Sequence, residues 1–114
     1  MSSDNNGVMD REHATSEVGP VILYATFTAS QGNAEAIGVL LGEYAKKVRS
    51  EAGNVMFEVS CRVDQPESFF VYEEYVDQAA FQHHLDAPYG PPFNAAIAPM
   101  ILEPQSVLTF LKRF

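Results

Sequence analysis

Three stretches of this chain carry large apolar side chains at both parities of an extended strand: Val21–Ala25, Phe69–Tyr72 and Val107–Leu111. Successive side chains of a strand point to opposite faces, so a sheet wetted on one side alternates apolar with polar residues. These runs do not alternate, and the sheet they build therefore needs cover on both faces. With 114 residues the chain suits one domain and has no room for a second of ordinary size. At 46% hydrophobic and 19% charged residues, its composition supports a globular core. The helical segments lying between the strands can cover one face. The simplest cover for the other is a second copy of the same sheet in a symmetric dimer.

The order of elements follows from periodicity. Val21–Thr28 reads as a strand, and Gly32-Asn33 breaks it, with Asn33 placed as a helix N-cap. Ile37, Leu40, Leu41, Tyr44, Ala45 and Val48 repeat at helical spacing, Lys46, Lys47 and Arg49 suit the carbonyl end, and Gly53 is the expected stop. Gly38 and Gly42, one turn apart, imply close packing against the sheet. Val55–Val63 and Ser68–Val76 form a hairpin across Asp64–Glu67. Asp77–Leu85 is a second helix ended by Pro88, Pro91 and Pro92; Phe93–Met100 adds a helical turn or two, and Val107–Phe114 is the last strand. Strand, helix, strand, strand, helix, strand is the ferredoxin-like βαββαβ pattern, an α+β fold with a four-stranded antiparallel sheet. Residues 1–19 carry almost no large apolar side chains and read as a disordered tail; 20–114 is the folded domain.

The formal charge of −8, with seven Lys and Arg scattered along the chain, leaves no basic stripe for nucleic acid or an anionic membrane. No apolar run approaches membrane-spanning length, and the single cysteine, Cys61, reads as a packing thiol in a reducing compartment, which suggests a soluble, cytoplasmic protein.

On the second helix Ala80, Phe81, His84 and Leu85 share one face, which turns His84 inward and His83 outward. Neighbouring residues on a helix diverge by about 100°, so the two rings do not grip one ion and no metal site is expected. On the preceding strand Glu73 and Tyr75 share a face directed towards the helices and His84. An imidazole titrating near pH 6.5 suits a base for a phenolic proton. A buried structural histidine and a structural ion pair for Glu73 are the plainer readings of the same residues.

Glu51-Ala52-Gly53-Asn54 with Phe57, then Tyr72-Glu73-Glu74-Tyr75, Asp77, Ala80-Phe81, His84 and Pro88 resemble, in order and spacing, the antibiotic biosynthesis monooxygenase family. The resemblance spans roughly Val21–Phe114. It implies a dimeric α+β barrel and oxygenation of phenols, quinols or polycyclic aromatics by molecular oxygen, without flavin, haem or metal. Relatives include haem-degrading enzymes and an isomerase. This chain has no Trp, carries Tyr75 where many relatives use one, and has Ala25 where the haem degraders carry Asn, which turns the reading away from haem.

The site expected on this basis has His84 as base, Glu73 to orient it and Tyr75 to donate to a substrate oxygen. Asn54 helps to bind substrate, and Phe57, Phe81 and Phe93 line the pocket. A non-redox isomerase using the same base, and a non-catalytic dimer that binds small ligands, are the alternative readings.

Overall fold

The computed structural model describes residues 19–114. Apart from Gly19, the expected tail lies outside the described residues. Four strands, β1 (Val21–Thr28), β2 (Asn54–Cys61), β3 (Ser68–Tyr75) and β4 (Val107–Leu111), form one antiparallel sheet in the order β2-β3-β1-β4. Helices α1 (Ala34–Arg49), α2 (Gln78–Leu85) and α3 (Gly90–Ile97) pack on one face of it, and a single 3₁₀ turn (Ala98–Met100) follows α3. This is the ferredoxin-like βαββαβ architecture, with an extra helix before the last strand.

The register sorts the side chains. Leu23, Ala25 and Phe27 of β1 stand opposite Glu73, Val71 and Phe69 of β3, and all six face the helices. Ile37, Leu41, Ala45 and Val48 of α1 close over Ala25, Phe27, Phe57 and Val71 as the main core. A smaller cluster joins Val21, Leu23 and Tyr75 to Phe81 of α2. Glu73 stands on β3 between Val71 of one cluster and Tyr75 of the other.

The opposite face of the sheet stays open in the single chain. Tyr24 stacks on Phe70 there at 4.9 Å, while Phe70, Met56, Leu111 and Val107 remain 38%, 40%, 43% and 49% exposed. Among the described residues no helix is long and apolar enough to cross a membrane.

Several local expectations are corrected. Asn33 occupies the N-cap position of α1, but its side chain donates to Ser30 Oγ at 2.7 Å instead of accepting from the helix. Gly32 carries the positive φ of that turn, at 86°. The first helix ends at Arg49 with Ser50 as its cap, so Gly53 is not its stop. Gly38 and Gly42 have open space where a Cβ would stand and do not pack on the sheet. Pro91 and Pro92 open α3 instead of merely closing α2, because a helix's first positions need no N–H donor. β4 stops at Leu111, and Cys61 is exposed instead of packed.

Candidate active site

The site begins where α1 runs out. Val48 is the last apolar residue of that helix to be buried, and Glu51, three residues on, continues inward as a buried carboxylate. Arg49 ties this turn to β2 by donating to the Phe57 carbonyl at 2.7 and 3.0 Å. Gly53 then allows α2 to settle directly on the turn. A Cβ at Gly53 would lie 2.3 Å from the Ala80 Cβ, a distance no pair of carbons tolerates. Asp77 starts α2 by accepting from the Ala80 N–H at 2.8 Å. One turn beyond Ala80, on the same face, comes His84.

These contacts put His84 between two carboxylates. Its Nδ1 lies 3.0 Å from Glu51 Oε2, and its Nε2 lies 3.9 Å from Glu73 Oε1. All three side chains are buried. The Tyr75 hydroxyl donates to Glu73 Oε1 at 2.8 Å, and the Tyr89 hydroxyl donates to Glu51 Oε2. An acceptor at Nδ1 assigns the imidazole hydrogen to that nitrogen and leaves the lone pair on Nε2. The 3.9 Å gap to Glu73 is too long for a hydrogen bond, so Nε2 is left open to an incoming proton.

The electrostatics fit this division. Burial pushes the Glu73 carboxyl above its ordinary range; the Tyr75 hydrogen bond and His84 pull it back, and the nearby Glu51 adds to the rise. Tyr75 and Tyr44 are raised by burial first and then by the charge of Glu73, so both keep their protons. Tyr89 is pushed up to about 12 by burial and by its bond to Glu51.

Beside this chain lies a cavity of about 200 Å³ between sheet and helices. Glu73 and His84 reach it, with Phe57, Phe81 and Phe93 on its walls. Tyr44 of α1 lines it too, stacked on Phe93 at 4.2 Å and 9°. Asn94 and Ser106 are the neutral polar side chains at its boundary.

Five of the seven expected site residues therefore meet at one cavity. Tyr75 does not line it: the side chain is fully buried and its hydroxyl is committed to Glu73. Asn54 is also elsewhere. It sits at a β-bulge, where its amide donates to the Met56 carbonyl at 3.1 Å. The expected outward turn of His83 matches its exposure. Glu51, Tyr89 and Tyr44 were missed. For Glu51 the one hint is that it stands three residues after Val48 of the α1 stripe, but it lies past the end of the helix.

Fold and site together define a class: a small ferredoxin-like α+β protein with a histidine–carboxylate chain at the wall of an aromatic pocket. The profile of the antibiotic biosynthesis monooxygenase family matches residues 20–97. The chain belongs to that family, and monooxygenase-like chemistry is the general function this membership supports. Among curated proteins no sequence match is found. Solved structures of the same fold include PA3566 from Pseudomonas aeruginosa, 24% identical with a TM-score of 0.78 over 87% of this chain and 98% of that one. Rv0793 from Mycobacterium tuberculosis is 21% identical, with a TM-score of 0.77 over 84% and 96%. A structure described as an antibiotic biosynthesis monooxygenase is 16% identical, with a TM-score of 0.76 over 82% and 98%. At these identities the likeness concerns the fold alone.

Proposed function

We propose that this protein is a cofactor-independent monooxygenase acting on a single-ring phenol or quinol. The observation that carries the reading is the buried Glu51–His84–Glu73 cluster, of which His84 and Glu73 line an aromatic cavity. Triplet oxygen reacts slowly with singlet organic molecules, so the substrate itself must become the electron donor. His84 Nε2 takes the phenolic proton, with Glu51 holding Nδ1–H and stabilising the resulting imidazolium. The phenolate is electron-rich and can pass an electron to oxygen within the aromatic pocket. A phenol with hydrogen at the position attacked then gives a quinone and water. One oxygen atom enters the ring, the other leaves as water with two substrate hydrogens, and no external reductant is needed.

Cavity size supports the single-ring choice. An apolar cavity of about 150 Å³ holds benzene, and this one is about 200 Å³.

Oxygen uptake with a panel of single-ring quinols tests the reading. The native protein consumes oxygen, and His84→Ala loses about 10²–10⁴-fold of kcat while keeping its melting temperature. A folded His84→Ala variant with undiminished uptake would remove His84 from the mechanism; a native protein consuming no oxygen with any quinol would remove the function.

The open sheet face completes the proposal. Two copies pair through Tyr24, Met56, Phe70, Val107 and Leu111, making a dimeric α+β barrel. The exposed thiol of Cys61 fits a reducing cytoplasm.

A further inference from the structure

Three tyrosines gather around the histidine, and two have hydroxyls already engaged. Tyr75 donates to Glu73, and Tyr89 donates to Glu51, with the Lys47 carbonyl also in reach at 3.3 Å. Tyr44 differs: its hydroxyl has no hydrogen-bond partner among the described residues, although its ring is firmly placed. Phe93 stacks on it at 4.2 Å, Phe57 and Tyr89 meet it edge-on at 5.8 and 5.9 Å, and the His84 ring centre lies 6.3 Å away. The side chain is half-buried and its hydroxyl keeps some solvent access, so it is free to bond an entering ligand. The same side chain lines the cavity together with Glu73 and His84.

We propose that Tyr44 is the residue that holds the substrate's oxygen: its hydroxyl donates a hydrogen bond to the phenolate oxygen formed when His84 Nε2 takes the proton. The inference rests on the reading of His84 as base and replaces Tyr75, whose hydroxyl is engaged, in the donor role. A donor fixed in place before charge develops stabilises an oxyanion without reorganising, and a bond to a charged acceptor is stronger than one between neutral groups. Burial and the two carboxylates keep Tyr44 protonated, which a donor requires. The selected ligand class is a phenol whose ring rests against Phe57, Phe81 and Phe93 with its oxygen between Tyr44 and His84.

Absorbance titration with 4-nitrophenol tests this, at a pH where the free phenol is un-ionised, with nitrobenzene as the probe lacking the oxygen, followed by competition. The Tyr44→Phe variant keeps the ring and its stack on Phe93. Its Kd for 4-nitrophenol should rise by about tenfold or more, while its Kd for nitrobenzene stays as in the native protein. An unchanged Kd for 4-nitrophenol, or an equal loss for both probes, overturns the assignment. The phenolate band separates the two readings. A native protein that binds 4-nitrophenol without that band refutes His84 as base and the donor role with it. A native complex showing the band, matched in affinity by Tyr44→Phe, refutes the role of Tyr44 alone.

Discussion

Glu73 is a carboxyl placed where its charged form is disfavoured, and this has a consequence for stability. Its raised pKa means that the native state holds a proton more tightly than the unfolded chain does. The stability this contributes is fully present below the unfolded carboxyl value of about 4.3 and is lost as pH rises through the folded value. Glu73→Gln can still accept from Tyr75 but cannot ionise. Thermal melts between pH 4 and 8 should show native stability declining relative to this variant as pH rises; parallel curves would mean that Glu73 is not the group responsible. Glu51 acts differently, through the imidazole. Glu51→Ala removes the acceptor at Nδ1 and should lower kcat by about 10²-fold with little change in KM, as expected of a residue that positions the base. An equal loss in binding and turnover would instead assign Glu51 to the substrate. His84 was legible in the sequence because a titratable residue stood out in an apolar helical stripe. Glu51 followed the same rule, but it lies beyond the last helical turn, where periodicity no longer marks a residue as inward.

The decisive contact between elements is Gly53 against Ala80. It seats α2 on the turn that carries Glu51 and so fixes the distance from Glu51 to His84. Gly53→Ala should cost about 1–3 kcal/mol through overpacking, measured by urea denaturation, and should depress activity along with stability. Ala80→Gly alone costs about 1 kcal/mol of helix propensity. Because the clash lies between the two Cβ positions, the double variant should be more stable than the sum of the single losses predicts. Strict additivity would show that this close approach does not set the packing. The strands, α1 and α2 were readable from periodicity and breakers. The role of Gly53 was not, since a glycine after a helix reads first as a stop, and the approach of Ala80 arises only in the folded chain. For the same reason α3 was seen only in part: Pro91 and Pro92 mark an end and a beginning equally well.

At the scale of the whole molecule, the strands with two apolar faces are half explained by the helices. The proposed pairing gives the rest to a second copy. Lysines at Phe70 and Val107 would place like charges across that interface, so the double variant should run as a monomer in light scattering where the native protein runs as a dimer. A native monomer at micromolar concentration would contradict the pairing. Tyr75 and Asn54 show where sequence stops short on polar contacts. Parity tells which face a side chain takes, but not whether a neighbour such as Glu73 has already engaged its hydroxyl. The pocket itself joins these scales: α1, α2, α3 and the sheet each contribute to one small cavity beside one histidine.

The most direct test of the account is to run the reaction with a single-ring quinol under heavy-isotope oxygen gas and weigh the product, for the native protein and for His84→Ala. The account predicts a product carrying one labelled oxygen atom, formed by the native protein and strongly reduced in the variant. A product formed without label, at the same rate under nitrogen, would contradict it and identify a non-redox enzyme built on the same base.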